Sequence, residues 1–372
     1  MQGMAAEQGT EAAATERVVA LLEDWARVDD ASGAAQHVAR HGETILQRGF
    51  GRVVPLEGPS AAPQPAGTQT IFLIASLTKP VTAAAVALLV ERGQVLLDDR
   101  VGRYIPAFRG DERRKVRVIH LLTHTSGLPD MLPENVALRS RKASLEAFVE
   151  GTCRTPLLFA PGTGCRYQSK GILLLGAIVE SVAGMPLRDF VAREFFAPLG
   201  MADSCLGLGS LPRERVARVN ITPEEAQTDW HWNSDYWRDL GAPWGGMHAT
   251  VEDYARFLGL FLDGGRSGAR QVLARSTVQT MLANQIVAMP LIPDKVKARQ
   301  AWGLGWRLNG PRGADHLPEI GSAGVFGHLG ATGTMAWADP ESGLSCVLFT
   351  NQPGVGRLRS LVSNAVAALA RE

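Results

Sequence analysis

The stretch Ile71-Phe72-Leu73-Ile74-Ala75-Ser76-Leu77-Thr78-Lys79-Pro80, followed by the Ala- and Leu-rich run Val81 to Glu91 and by Gly93, decides how the rest of the chain is read. Val81 to Glu91 consists largely of helix formers and closes at a glycine, so it predicts a helix. Ile71 to Ala75 is apolar and brief. Between them stands Ser76-Leu77-Thr78-Lys79, the only S-x-x-K in the sequence. Residues i and i+3 share a helix face, so the Lys79 amine can reach the Ser76 hydroxyl. A serine hydroxyl is a poor nucleophile until a base takes its proton. A lysine takes it only if burial or neighbours lower its pKa. The helix N-terminus directs N–H groups at developing negative charge, and Pro80 falls in the first turn, where its missing N–H costs least. Only six of the 38 basic residues are Lys, so a Lys at this spacing is less of an accident. The competing reading is a capping Ser beside a solvated Lys, since so short a motif also occurs by chance.

Two further clusters carry chemistry. Tyr167-Gln168-Ser169 follows Pro161-Gly162-Thr163-Gly164 and precedes an apolar helix beginning near Gly171. A tyrosine hydroxyl can share a proton with a lysine amine and pass it to a leaving group; the alternative is a ring packing at a helix entry. His328-Leu329-Gly330-Ala331 leads into a strand expected from Thr332. Small residues there let a substrate approach closely. The N–H of Ala331 can supply one oxyanion donor and the N–H of Ser76 the other. A loop histidine is the rival reading for His328.

Composition narrows the field. The chain has 372 residues with 38 Lys plus Arg against 37 Asp plus Glu, a net charge of +1. No basic excess exists to hold a phosphate backbone, so a nucleic-acid partner is not expected. Glu7, Glu11 and Glu16 come early, without a basic start or an apolar core, so no signal peptide is read. The apolar runs are short of a membrane span, so no membrane partner is expected either. Cys153, Cys165, Cys205 and Cys346 have no metal spacing and read as reduced thiols. A cytoplasmic protein is the expectation. Gly321-Ser322-Ala323-Gly324 lacks the leading Gly of a G-x-S-x-G elbow, and H-E-x-x-H, a P-loop and a complete G-x-G-x-x-G are absent.

The remaining pattern places the clusters. Residues 11 to 28 carry Val18, Val19, Leu21, Leu22 and Trp25 at helical spacing. Ala35 to Arg40 and Glu43 to Phe50, separated by His41-Gly42, read as a hairpin; residues 55 to 67 read as a loop. Ser144 to Glu150 and Lys170 to Val182 are helices, and Thr250 with Asp253 opens another to about Leu262. Trp302 to Leu308, Thr332 to Ala338 and Leu344 to Thr350 read as strands, and about 357 to 370 as a final helix. Strands at both ends with helices between predict an α+β fold: an antiparallel sheet built from both termini, flanked by the terminal helices, with an inserted mostly helical lobe. Residues 1–80 and 246–372 form the sheet region and 81–245 the lobe, with the active site in the cleft between them.

In this order and spacing the three clusters resemble the S-x-x-K, Y-x-N (or Y-x-S) and K-T-G (or H-x-G) motifs of the serine β-lactamase and penicillin-binding-protein-like superfamily. The likeness runs from about residue 30 to 355 and is nearest to class C β-lactamases, family VIII carboxylesterases and D-stereospecific peptidases. His120 to Pro129, Gly245-Gly246-Met247 and Trp302-Gly303-Leu304-Gly305-Trp306 look like the family too. The resemblance implies a β-lactamase/transpeptidase-like fold, with Ser76, Lys79 and Tyr167 catalytic and Ser76, Ala331, His328, Gly330 and Ser169 holding oxyanion or substrate, and no metal or organic cofactor. Two departures matter. Ser169 stands where many relatives have Asn, and His328 where β-lactamases have Lys, so a permanent cation gives way to a largely neutral imidazole. The expected function is a serine hydrolase acting through an acyl-enzyme on small esters or amides. The alternatives are a β-lactamase or D-amino-acid peptidase and, from another class, a non-catalytic binding or assembly scaffold. Trp230, Trp232, Trp237 and Trp244 with Tyr236 line the acyl pocket or pack the lobe; His124 and Ser126 read as a structural turn, and Lys170 as a solvated helix start.

Overall fold

The computed structural model describes residues 2–57, 62–310 and 317–370. One antiparallel sheet joins the two ends of the chain. Its strands are β1 (Gly33–Arg40), β2 (Glu43–Val53), β3 (Gln64–Pro65), β4 (Arg307–Leu308), β5 (Phe326–Leu329), β6 (Met335–Asp339) and β7 (Leu344–Thr350), in the order β3-β2-β1-β7-β6-β5-β4. The hairpin turn lies where the sequence places it: His41 and Gly42 have φ of 50° and 82°, the left-handed pair whose twist matches flanking strands. β1 then pairs with β7, Ala34 opposite Thr350 and Arg40 opposite Leu344.

Alternation along the strands sorts side chains into two layers. Val38, Trp337, Cys346 and Leu348 face Val18 and Leu22 of α1 (Gln2–Ala26) and Val362 and Val366 of the C-terminal helix (Gly356–Ala367). The intervening Ala336, Ala338, Val347 and Phe349 face the other way, into a core with Tyr254, Phe257 and Phe261 of the helix Val251–Leu262. That helix starts where Thr250 Oγ1 accepts the Asp253 N–H at 3.3 Å. The helix Thr78–Glu91 is buried from Thr78 through Leu89, as a helix apolar on all sides must be. It packs against Lys170–Ala183, which ends at Gly184 with φ 66°.

The differences from the sequence reading are local. Gln64–Pro65 adds a short strand to β2 inside the stretch read as a loop; 58–61 of that stretch lie outside the described residues. Only Arg307–Leu308 of the stretch from Trp302 is strand, and β6 begins at Met335 rather than Thr332. His328 lies on β5, a strand the sequence reading lacks, and Gly330 to Thr334 make the turn to β6, with Gly333 at φ 97°. Among the described residues no single helix is long and apolar enough to cross a membrane.

Candidate active site

Ser76 sits in a single 3-10 turn, Ala75–Leu77, that runs straight into the buried helix. The residue before it, Ala75, has φ of 47°, a region that costs a non-glycine residue about 1 kcal/mol or more and persists only where surroundings impose it. Here they do. Thr332 Oγ1 donates to the Leu73 carbonyl at 2.6 Å and Thr334 Oγ1 to that of Ile74 at 2.9 Å. Thr78 Oγ1 donates to the Ala75 carbonyl at 2.7 Å and accepts from Met247 N at 3.0 Å. Gly330 allows this approach, because a Cβ on it would meet Thr334 Oγ1 and the Ile74 carbonyl. From the C-terminal helix, buried Arg359 donates to the carbonyls of Gly330 at 3.0 Å and Thr334 at 3.1 Å. The turn bearing Ala331 is thus fastened to the turn bearing Ser76.

Lys79 lies one helical turn on. Its Nζ donates to Ser76 Oγ at 2.7 Å and to the Trp244 carbonyl at 2.8 Å, and sits 4.8 Å from the Tyr167 ring centre. It is fully buried. Desolvation lowers its pKa to about 7; Asp130 pulls it up and Lys170 pushes it down. An amine so placed sheds its proton near neutrality. The Tyr167 hydroxyl is hydrogen-bonded to Ser76, and burial pushes its pKa well up, so it is a neutral phenol.

His328 is buried. Burial, then the nearby Lys79, lower its pKa to about 3, so the imidazole is neutral as the sequence reading expects. Its Nδ1 accepts the Leu329 N–H at 2.9 Å. Ser169 is buried at the N-cap of its helix, its N–H donating to Asp130 Oδ1 at 2.8 Å. Lys170 corrects the expectation of a solvated side chain. It is wholly buried, with Nζ 4.1 Å from the Trp244 ring centre and 5.0 Å from that of Phe148, and has no hydrogen-bond partner among the described residues. Burial lowers its pKa to about 7.

Two cavities share Ser76, Tyr167 and Ala331. One, of about 420 Å³, adds Trp302, Arg307, His328, Gly330 and Arg359. The other, of about 350 Å³, adds Asp130, Arg139, Ser169 and the four tryptophans. Trp237 and Trp244 are also part of the core, so lining the pocket and packing the lobe are both true. Tyr236 is not in the lining; its hydroxyl donates to the Ala143 carbonyl at 2.8 Å. Ser126 does make a turn, accepting from Leu128 N at 3.1 Å. His124, in the same turn, does more: its ring lies 4.8 Å from that of Tyr167, and its Nδ1 accepts from Gln168 N at 3.3 Å. It therefore supports the tyrosine from beneath. Asp130 and Arg359 went unnoticed in the sequence. Asp130 lies four residues after Ser126, directly after the His120-to-Pro129 stretch already singled out, a usable signal; Arg359, on a helix remote in sequence, offers none. Among the described residues no group of three or more His, Cys, Asp or Glu side chains could hold a metal.

Comparison with known proteins bears on the family and the fold. A protein of Salmonella enteritidis PT4, named only provisionally as a D-alanyl-D-alanine carboxypeptidase, is 28% identical over 348 residues, 85% of this chain and 78% of that one. A penicillin-binding protein homolog from Caulobacter crescentus superposes with a TM-score of 0.75 at 24% identity, over 96% of this chain and 98% of that one. EstCE1, described as a hydrolase with promiscuous acyltransferase activity, gives 0.74 at 21%, over 96% and 99%. At these identities the two structures speak for the fold. The Beta-lactamase family model matches residues 22–370, nearly the whole chain, and the protein is a hydrolase belonging to the β-lactamase family.

Proposed function

We propose that the protein hydrolyses small esters or amides through an acyl-enzyme formed on Ser76. The observation that carries this reading is the 2.7 Å contact between Ser76 Oγ and a buried Lys79 amine held near pKa 7. In the neutral amine the contact runs the other way, the hydroxyl donating to the nitrogen lone pair. Ser76 Oγ attacks the carbonyl carbon as its proton passes to Lys79 Nζ. The amides of Ser76 and Ala331 hold the oxyanion. The raised pKa of Tyr167 disfavours a phenolate base, so its hydroxyl hands the proton from Lys79 to the leaving group as the carbonyl–heteroatom bond breaks. Water then attacks the acyl-enzyme, its proton going to the same base and Ser76 recovering its own. His328, Gly330 and Ser169 border the substrate.

The active cleft lies between the sheet region, 1–80 with 246–372, and the lobe, 81–245. Support comes from the cavity linings, which take Asp130 and Tyr167 from one and His328 and Ala331 from the other. A neutral His328 favours esters over β-lactams and D-amino-acid peptides, whose carboxylate wants a cation. Arg307 and Arg359 border that cavity but are engaged, Arg307 with Gln300 at 2.6 Å and Arg359 with the two carbonyls. A cytoplasmic setting belongs to the same reading, supported by four free cysteines. The test is labelling with a fluorophosphonate, with the adduct located by mass spectrometry. Modification of Ser76 is expected; a protein left unlabelled, or labelled elsewhere, favours the scaffold reading.

A further inference from the structure

The Trp-lined cavity holds a cation that forms no ion pair with a carboxylate among the described residues. Arg139 is on the short helix Asn135–Ser140. Its guanidinium lies 4.3 Å from the Trp237 ring centre and 5.9 Å from that of Trp230, and it lines the same cavity as Ser76. Its Nε is buried and has no hydrogen-bond partner among the described residues. Burial lowers its pKa; the Tyr236 phenol beside it is neutral, the charged group it acts on is another cation, Lys170, and no carboxylate forms an ion pair with it among the described residues. The acids that line the cavity are engaged elsewhere. Asp130 accepts from Ser169 N and acts on Lys79 and Lys170; Glu225 closes a capping box with Thr222. The cavity's histidine, His231, has a lowered pKa and accepts from Asn233 N at 3.0 Å.

A guanidinium drawn from water without an opposing charge is costly to keep. Stacking on two indoles recovers part of that cost and fixes the plane of the group. A fixed plane leaves the N–H edge free for a planar, bidentate acceptor, and the acceptor of that shape is a carboxylate. We propose that this cavity is a subsite for a carboxylate-bearing substituent, with Arg139 as its receptor, so that the substrates are esters or amides carrying an acid on the part that enters between the tryptophans. The inference rests on the ester- or amide-hydrolase reading above and names its substrate class. It concerns the cavity opposite His328, where the Arg139 side chain differs from those of Arg307 and Arg359 in making no hydrogen bond among the described residues.

The test uses two pairs of probes on the intact protein. The 4-nitrophenyl monoester of adipic acid is compared with 4-nitrophenyl hexanoate, which puts the charge in the acyl part. 4-Carboxyphenyl butanoate is compared with phenyl butanoate, which puts it in the alcohol part. The readout is the ratio of kcat/KM, charged over neutral, in wild type, Arg139→Met and Arg139→Lys. A charge-assisted hydrogen bond is worth roughly 10- to 150-fold. In one pair the wild-type ratio is therefore expected to exceed the Met variant's by about tenfold or more and to fall with added salt, with Lys between. Ratios that agree in all three proteins for both pairs overturn the proposal. Should Arg139→Met fail to fold, the Lys variant and the salt dependence in wild type decide by the same criterion. If wild type hydrolyses none of the four esters, the ester reading fails on its own account. Benzoate binding, read by tryptophan fluorescence, then settles the subsite: saturation weakened in Arg139→Lys retains it, and no saturation in wild type discards it.

Discussion

Lys170→Met removes a buried charge and leaves a chain of similar length in its place. The fall of the Lys170 pKa from 10.5 to about 7 on burial corresponds to a penalty of about 5 kcal/mol at most. Contacts with the rings of Trp244 and Phe148 return about 1–2 kcal/mol each, and the attraction to Asp130 and Glu134 is already contained in the pKa of about 7. The variant should therefore be more stable than wild type by about 1–3 kcal/mol at pH 6, a rise in Tm of roughly 2–5 °C. The pH dependence carries the sharper signature. Below pH 7 the folded and unfolded states both hold the proton, and the penalty is in full force. Between pH 7 and 10.5 only the unfolded state holds it, so wild-type stability climbs with pH and the penalty shrinks. The advantage of the variant should be greatest at pH 5.5–6 and gone by about pH 9.5. Thermal melts of both proteins across that range measure it. A variant that melts below wild type at pH 6, or a difference that does not change with pH, would refute this account of the buried amine.

Ser76→Ala should abolish ester hydrolysis and covalent labelling, leaving a residual acceleration of roughly 10³-fold at most, and Lys79→Arg should be inactive because a guanidinium keeps its proton; near wild-type rates in either would end the proposed mechanism. Since Lys79 must be neutral to accept a proton and its pKa is about 7, kcat/KM for a neutral ester should rise about tenfold per pH unit below that value and level off above it, whereas a flat profile from pH 5.5 to 8 would assign the base elsewhere. Tyr167→Phe keeps the ring against His124 and removes only the hydroxyl, so kcat should drop by about 10² or more while the melting temperature barely moves; unchanged kcat would make Tyr167 a packing residue. With a neutral His328, 4-nitrophenyl butanoate should be hydrolysed faster than nitrocefin at pH 7–8, and the reverse order would show that Arg307 or Arg359 supplies the cation.

Much of the architecture was legible because it depends on short-range rules. The His41-Gly42 turn, the Leu344–Thr350 strand and the glycine stop at Gly93 follow from local preference and periodicity. β5 was not legible, because Phe326-Gly327-His328-Leu329 is too short and too glycine-bearing to alternate clearly; its strand character comes from pairing with β6. The link between Ser76 and Lys79 could be read because i and i+3 are neighbours on any helix. Lys170 misled for the opposite reason. A lysine beside a helix start is normally solvated, and only the arrival of Trp244 and Phe148 from distant positions buries it. The roles of His124 and Asp130 likewise depend on which loops meet. Arg359 reaches its carbonyls from nearly 30 residues further along the chain, at no spacing that a motif records.

The pairing of β1 with β7, and the reach of Arg359 back to Gly330, have a consequence for how the protein is made. A ribosome delivers Ser76 and Lys79 early, but the central strand pair waits for residues 344–350 and the fastening of the Ala331 turn for the helix after them. Contacts so far apart in sequence close late and slowly. The nascent chain carries Ser76 and Lys79 through most of translation, and the Ala331 turn, from which the proposed mechanism draws its second oxyanion donor, is fastened only once the helix Gly356–Ala367 has docked.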